Sequence, residues 1–301
     1  MTSGSTTQNQ HGNQAKRRNH TVPKALLKRW LTEADGKLGH WVLDCKSGDI
    51  DFRLGSEASF AIRDFVYVPI RSHNGAAPYR DETVEDWFSL GENDLALVTD
   101  WILKKEPIEH RTKAVGRLLQ AVIALGFRSA YEYDTMARAV KSTNQMLSNE
   151  EVARLVVDSF KKTYTGKLRQ FANWDYAIVE APEEPLLVCD RPMFDMTVSN
   201  SQEELLVVPL TPFLMLTATA PSDRARTGPS WTQGAVASAN IVSLANHLSV
   251  ERARQFVVGA LDQLKKIQPR FLHGAFESRK ATDGLVIQGR TFGMRVPTSE
   301  F

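Results

Sequence analysis

The chain has 301 residues, 42% of them hydrophobic, and a formal net charge of +2 at pH 7. A chain of this length can bury one large core or two small ones, and so small a net charge excludes long-range electrostatics as the property that selects a partner. We find no run near the roughly eighteen consecutive apolar residues of a membrane span and no apolar N-terminal stretch typical of a signal peptide, so we expect a cytoplasmic protein without a membrane segment.

The first 19 residues differ in composition from the rest of the chain. They are almost wholly Ser, Thr, Gln, Asn, Gly and basic residues. Such a segment buries too little apolar surface to offset the entropy that is lost on ordering. We predict a disordered polar and basic tail over residues 1–19, followed by a single α+β domain over residues 20–301 with a helical insertion at about 80–172.

The ordered part of the chain begins with a helix and a hairpin. Pro23 predicts the start of a helix that runs to about Glu33, with its apolar residues on one face. Alternation of apolar and polar residues over 41–53, interrupted by polar turn residues at 46–49, predicts the hairpin. A third strand is expected at residues 65–70.

Four helices are predicted in the middle of the chain, because apolar residues recur there at helical spacing. They occupy residues 81–104, 107–127, 129–147 and 149–171. Gly91 interrupts the apolar stripe of the first helix, which predicts either a kink or the close approach of another element at that point.

Short apolar runs return after the helices. We predict strands at residues 176–180, 186–189, 205–210 and 213–219. The three runs between residues 185 and 220 are each too short for a helix and are bounded by turn residues, so we expect adjacent buried strands of one sheet.

The C-terminal part is predicted to contain a loop, two helices and a strand. In chain order these are a loop at 221–234, helices at 235–245 and 250–266, and a last strand or hairpin at 285–296. The fold class is therefore α+β, with a mixed or antiparallel sheet built from N- and C-terminal strands and a central block of about four helices.

The two cysteines, Cys45 and Cys189, each lie in an apolar run typical of a strand. Small secreted proteins that depend on disulfides carry more cysteines than this, and cytosolic thiols stay reduced. We therefore expect two buried free thiols.

Asp190 is the strongest single candidate for a functional group. It leaves a predicted buried strand, and Pro192 restricts the backbone that follows. A carboxylate held in this way has a defined position, which suits a binding or catalytic role. Alternatively, Asp190 turns the chain by bonding nearby backbone.

Several motifs occur in a defined order along the chain. They are NHTVPKALLKRW at the start, the hairpin GKLGHWVLDCKSGD, a helix carrying Glu85 and Glu92, the turn CDRP, the segment VVPLTP, and the spacing from Asn246 to Ala253. Together they resemble the bacterial domain-of-unknown-function family numbered 4238, over nearly all of the chain from His20 to about Gly259.

That family typically shows His-aromatic-x-Pro at its start, Asp-x-Pro after a strand and Asn in a late helix. The matching positions in this chain are His20, Pro23, Asp190, Pro192 and Asn246. Thr21 replaces the usual aromatic residue. The resemblance implies the group, and it implies no particular activity.

The polar residues that match the pattern could supply an acid–base pair or a metal site. The candidate catalytic residues are His20, Glu92, Asp190 and Asn246, and the candidate metal ligands are Glu85, Glu92 and Asp190. Glu85 and Glu92 are seven residues apart, so on a helix they project in nearly the same direction. Alternatively, the glutamates cap helices or pair with basic residues, and His20 anchors the backbone before the first helix.

Two functions from different classes remain open. In the first, the protein is a hydrolase. The narrower form of this hypothesis is a metal-dependent nuclease acting on phosphodiesters, with a divalent cation as cofactor and nucleic acid as partner. In the second, it is a non-catalytic binding or regulatory module whose polar set is structural. Convergence of His20, Glu92 and Asp190 on a common cleft favours the first function, whereas burial of these side chains in satisfied pairs favours the second.

Overall fold

The computed structural model describes residues 18–64, 66–71, 78–106, 112–197, 204–221, 228–272 and 294–295. Strands from both ends of the chain form sheets, and helices occupy the middle. The predicted α+β class is confirmed.

The described strands are two to eight residues long. In chain order they are β1 (Arg18–His20), β2 (Thr32–Ala34), β3 (Lys37–Asp44), β4 (Ile50–Leu54), β5 (Ile62–Asp64), β6 (Ile70–Arg71), β7 (Tyr79–Arg80), β8 (Asp175–Glu180), β9 (Val188–Cys189), β10 (Phe194–Thr197), β11 (Glu204–Thr211), β12 (Leu214–Thr219), β13 (Ser230–Val236), β14 (Phe256–Val258) and β15 (Met294–Arg295). The described helices are α1 (Lys24–Leu27), α2 (Thr83–Leu103), α3 (Thr112–Leu125), α4 (Ala130–Thr143), α5 (Asn149–Phe171), α6 (Ala239–Arg252) and α7 (Leu261–Ile267).

A six-stranded sheet has the order β13-β8-β12-β11-β10-β15. Its neighbouring strands are antiparallel except at the two edges, where β13 runs parallel to β8 and β15 runs parallel to β10. Both faces of the central strands β11 and β12 are buried. Since successive side chains of a strand point to opposite faces, the two faces contribute to different cores. In β11, Leu206 and Val208 belong to the core formed with α2 to α5, whereas Val207 belongs to the core formed with α6 and α7.

A second sheet has the order β2-β3-β14-β9, with β4 paired to β3. The prediction that the three runs between residues 185 and 220 lie side by side in one sheet is wrong for the first run, because β9 pairs with β14 in this second sheet. The other runs are adjacent, as β11 and β12 of the six-stranded sheet. Only two residues of β9 pair with a neighbour, so the chain passes from one sheet to the other within a few residues of Cys189.

The helical block consists of α2 to α5. Gly91 of α2 faces α3, and a Cβ atom built on Gly91 would lie 3.3 Å from the Cα of Ala121. The close approach predicted at this glycine is confirmed, since a side chain there would force the two helix backbones apart. The predicted α5 agrees with the observed bounds, and it begins with a capping box between Ser148 and Glu151.

Some local predictions are wrong because tertiary pairing overrides local pattern. The first helix ends at Leu27, continues as a 3₁₀ turn over Lys28–Trp30, and gives way to β2 before Glu33. Of the strand expected at residues 65–70, the described residues 66–69 form a turn and irregular backbone, and only Ile70 lies in a strand, β6. In the C-terminal part, the loop expected at 221–234 includes most of β13, and β14 interrupts the second of the two predicted helices.

Several predictions concern residues outside the described ranges. The predicted tail falls mainly on residues 1–17, and only Arg18 and Asn19 of it are described, in β1. The last predicted strand, 285–296, is described only at residues 294–295. Cys45 and Cys189 are both buried, and neither forms a disulfide within the described ranges. Of the helices in the described ranges, none combines the length and the apolar composition needed to cross a membrane.

Candidate ligand-binding site on α4 and α5

Asp190 is fully buried where the chain leaves β9. Its Oδ1 accepts hydrogen bonds from the backbone N–H groups of Arg254 at 2.8 Å and Gln255 at 3.1 Å. These residues lie more than sixty positions further along the chain, so Asp190 does not form a local turn but joins β9 to the connection between α6 and β14. Burial raises the pKa of this carboxyl, although the two backbone N–H groups oppose the shift.

Asn246 binds the strand that leads to Asp190. Its Oδ1 accepts the N–H of Leu187 at 2.8 Å, and its Nδ2 donates to the carbonyl oxygen of Pro185 at 3.1 Å. Both bonds go to the backbone just before β9. Asp190, Asn246 and the backbone groups that they bind therefore fasten one strand to α6 and β14, and we call this set the β9 junction.

Glu92 and His20 are brought together by an arginine that the sequence patterns did not single out. Arg128 is 3% exposed, forms an ion pair with Glu92, and donates from Nε to the carbonyl oxygen of His20 at 2.7 Å. Its guanidinium also stands over the ring of Phe88, 5.0 Å from the centroid. The His20 ring does not take part, since its Nε2 lies 3.1 Å from the carbonyl oxygen of Glu57.

The space around Glu92 and Arg128 is too small for a substrate, because the gap that they line measures only about 10 Å³.

Glu85 is buried on the same helix as Glu92. The pKa of the Tyr67 hydroxyl is raised, mainly by burial, and the charge of Glu85 adds to this shift. Within the described ranges, no three His, Cys, Asp or Glu side chains form a group that could hold a metal ion. A cation site formed by Glu85, Glu92 and Asp190 stays a prediction.

A more spacious open concavity lies along α4 and the start of α5. This groove has a volume of about 1020 Å³, and we call it the α4–α5 groove. Its lining residues are Arg63, Tyr131, Tyr133, Asp134, Ala137, Arg138, Lys141, Ser142, Gln145, Asn149 and Val152. Apolar residues and tyrosines form part of the wall, and charged side chains stand among them.

Each of the two helices that form the groove begins after a serine that caps its N-terminus. Ser129 precedes α4 and accepts the N–H of Tyr131 at 3.2 Å, whereas Ser148 precedes α5 and accepts the N–H of Glu151 at 3.2 Å. Few residues separate the two helices, so they lie side by side. Lys141 Nζ donates to Asn149 Oδ1 at 3.1 Å, which joins the end of α4 to the start of α5.

Three cationic side chains line the groove. They are those of Arg63, Arg138 and Lys141, and all three residues are exposed. The one lining carboxylate is that of Asp134, whose Oδ2 lies 2.7 Å from Nη1 of Arg63. This hydrogen bond raises the pKa of the Arg63 guanidinium, which therefore keeps its charge. Burial raises the pKa of Tyr133, so its hydroxyl stays protonated.

The β9 junction supports one wall of the groove. Arg191 follows Asp190, pairs with Glu132, and stands over the ring of Tyr131 at 4.9 Å from the centroid. Arg254, whose N–H is held by Asp190, stands 5.6 Å from the centroid of the same ring. The residues that fasten β9 thus also position two guanidinium groups against a tyrosine of the groove.

Residues 18–262 match the family described as "Protein of unknown function (DUF4238)". The match covers most of the chain. The chain belongs to the DUF4238 family. No curated protein and no solved structure matches it.

Membership in DUF4238 confirms the resemblance seen in the motifs and assigns no activity. The family positions Asp190 and Asn246 lie in the β9 junction of this DUF4238 chain. The groove cations belong to none of the motifs. Arg63 lies on the short strand β5, and Arg138 and Lys141 lie on α4. The sequence held one signal for two other arginines near the site. Arg128 directly follows a residue that is apolar and buried, and Arg191 directly follows the candidate residue Asp190.

Proposed function

We propose that this DUF4238 protein is a non-catalytic binding module for a phosphate-bearing organic ligand, which it holds in the α4–α5 groove. The observation that carries the proposal is the grouping of three exposed cations and two tyrosines along one concavity. The volume of about 1020 Å³ is at the upper end of the range typical of sites for small organic ligands, roughly 300–1,000 Å³.

The charges of the groove match a phosphomonoester. Arg63, Arg138 and Lys141 carry three positive charges and Asp134 carries one negative charge, which leaves two positive charges for a dianionic group. Arginine binds phosphate through two parallel N–H bonds, and lysine contributes a point charge. A single carboxylate would leave part of this charge unused.

The ion pair between Arg63 and Asp134 does not prevent ligand binding. Both side chains are more than 40% exposed. Exposed pairs of this kind contribute only about 0–1 kcal/mol. A phosphate that offers Arg63 two hydrogen bonds therefore competes well with the carboxylate of Asp134.

The module is favoured over the enzyme by the surroundings of the predicted catalytic residues. Asp190 and Asn246 bind backbone groups, and Glu92 pairs with the buried Arg128. Hydrogen bonds to backbone groups and a buried ion pair are the contacts expected of a polar set that is structural. Within the described residues, only Oδ2 of Asp190 lacks a partner among the buried polar atoms of the Asp190, Asn246 and Glu92 side chains. A phosphodiester hydrolase that uses a divalent cation stays a prediction, and release of nitrophenol from bis(4-nitrophenyl) phosphate in the presence of Mg²⁺ or Mn²⁺ would support it.

Isothermal titration calorimetry with ribose 5-phosphate tests the proposed binding. The double variant Arg138→Gln/Lys141→Gln removes two groove cations, and Lys265→Gln/Lys266→Gln removes two exposed lysines of α7 that do not line the groove. We expect the first variant to lose about 10-fold or more in affinity, since phosphate contacts are charge-assisted. We expect the control variant to bind like the unmodified protein.

Weakening of the binding as salt is raised would support a charged contact. Equal affinity of both double variants, or no heat of binding with any of the three proteins, would contradict the proposal. Glutarate in place of ribose 5-phosphate separates phosphate recognition from the binding of any dianion, and equally tight binding of glutarate also speaks against the proposal.

A further inference from the structure

A second, smaller pocket lies beside the α4–α5 groove, and we call it the side pocket. Its volume is about 210 Å³, and Arg63 lines both the side pocket and the groove. The two concavities are also neighbours along α4, because Ala130 lines the side pocket and Tyr131 lines the groove. A single ligand near Arg63 is therefore within reach of both.

The inner surface of the side pocket is apolar and aromatic. It includes Val42 of β3 and Phe256 of β14, both buried, and Phe60. The rings of Phe60 and Phe256 meet edge to face, with centroids 4.9 Å apart. An apolar or aromatic group would lose its water and contact these side chains on entering.

The polar side chains around the side pocket differ in what they already bind. Asp44 accepts the N–H groups of Lys46 and Ser47, and Arg53 pairs with Asp51. The side-chain amide of Gln255, by contrast, makes no hydrogen bond to any part of the chain that the structure describes. An amide offers both donors and an acceptor, so it can bind the edge of a ring that carries both kinds of group.

We infer that the side pocket receives the planar heteroaromatic end of the ligand whose phosphate lies in the α4–α5 groove, so that the ligand class is a nucleotide. This inference rests on the proposed function. Its volume of about 210 Å³ is below the roughly 300 Å³ at which sites for whole drug-sized ligands begin, and suits one ring system. Stacking on a phenylalanine and bonds from an amide to the ring edge are the two contacts by which proteins bind single nucleobases.

Asp190 has a defined part in this arrangement, as a positioning residue. Its Oδ1 holds the N–H of Gln255, which lines the side pocket, and the N–H of Arg254, which stands against Tyr131 of the groove. One buried carboxylate thus fixes the backbone of Gln255, which lines the side pocket, and of Arg254, which packs against a tyrosine that lines the groove. A carboxylate placed in this way serves binding without contacting the ligand.

Calorimetry with AMP, GMP, CMP and UMP, compared with ribose 5-phosphate, tests the inference. We expect at least one nucleotide to bind about 10-fold or more tightly than ribose 5-phosphate, because stacking of a base on an aromatic ring is favourable. Phe60→Leu keeps an apolar side chain and removes the ring, and it should bring the affinity for that nucleotide close to that of ribose 5-phosphate. The affinity for ribose 5-phosphate itself should not change.

Phe213→Leu is the matched control, because Phe213 is 52% exposed and lines neither concavity. Gln255→Ala should change the order of affinity among the four nucleotides, which a loss of structure would not do. It also carries the test if Phe60→Leu does not fold, since the Gln255 side chain makes no bond within the described parts of the chain.

The outcomes separate the two proposals. Equal affinities for all four nucleotides and for ribose 5-phosphate would overturn the nucleotide inference and leave phosphate binding in place. Tighter binding of a nucleotide that Phe60→Leu does not weaken would also overturn the inference. Absence of binding by every one of the five compounds would overturn both.

Discussion

The β9 junction and the α4–α5 groove are both rich in polar side chains, but these side chains have different partners. In the junction, Asp190 and Asn246 are buried and bind backbone groups of distant segments. In the groove, Arg138 and Lys141 are exposed, and their hydrogen bonds within the described parts of the chain go to near neighbours on the same or the next helix. Buried polar residues at a strand exit therefore hold the fold, and the accessible charges are those available to a ligand.

This difference has an energetic basis. A buried polar group must be paired, because leaving it without a partner costs about 1–3 kcal/mol. An exposed cation exchanges water for a ligand at little cost to the fold. Substitutions should accordingly lower stability in the buried networks and lower affinity in the groove.

The largest loss of stability is expected for Arg128→Leu. The variant leaves Glu92 and the carbonyl oxygen of His20 without their buried partner. Breaking a buried ion pair by removing one member costs about 3–5 kcal/mol. Urea unfolding followed by circular dichroism measures this loss, and Arg128→Leu/Glu92→Leu should recover part of it. A loss below about 1 kcal/mol would show that the pair does not support the helical block.

Substitutions of Asp190 are expected to cost less stability than Arg128→Leu, and the loss should depend on which residue replaces Asp190. Asp190→Ala leaves the buried N–H groups of Arg254 and Gln255 unpaired and should cost roughly 2–4 kcal/mol. Asp190→Asn keeps an acceptor oxygen and should cost much less. Equal losses in urea unfolding would contradict the view that these two backbone bonds are what Asp190 supplies.

The stability difference between Asp190→Asn and the unmodified protein should depend on pH. Because the pKa of Asp190 is raised in the folded state, the unfolded chain loses this proton at a lower pH than the folded chain. The contribution of Asp190 to stability is therefore greatest in acid, and it declines as pH rises from about 4 towards the folded pKa. Asparagine lacks this titration, so its relative stability should increase between pH 4 and pH 7. A difference that is constant over this range would be inconsistent with a raised pKa.

The smallest change in stability is expected in the groove. Arg138→Gln/Lys141→Gln replaces two exposed side chains and should alter the free energy of unfolding by less than about 0.5 kcal/mol. The same variant is expected to lose ligand affinity, so it separates binding from folding. A loss above about 2 kcal/mol would place these cations with the structural residues instead.

Periodicity and turn chemistry predicted the elements whose residues are close in sequence. The hairpin and the four central helices follow from spacing alone. Spacing also indicates either a kink or a close approach at Gly91, and the structure shows the close approach. The sheet that contains β9 could not be predicted, because two paired residues carry too little pattern to select between β14 and the other strands.

The groove could not be predicted for a related reason. Arg63 and Asp134 are 71 positions apart, and only the packing of β5 near α4 brings them together. The cations of α4 look like those of any solvated helix face when they are seen in sequence alone. Asp190 was recognised as held in place, but its partners Arg254 and Gln255 are supplied by a connection far along the chain.

Hydrogen–deuterium exchange with and without saturating ribose 5-phosphate tests most directly whether the ligand occupies the α4–α5 groove. We expect slower exchange in peptides covering residues 130–152, which contain α4 and the start of α5, and unchanged exchange in peptides from α7. The protection should disappear in Arg138→Gln/Lys141→Gln and persist in Lys265→Gln/Lys266→Gln. Protection confined to other parts of the chain, or protection at residues 130–152 that survives the loss of the groove cations, would contradict binding in the groove.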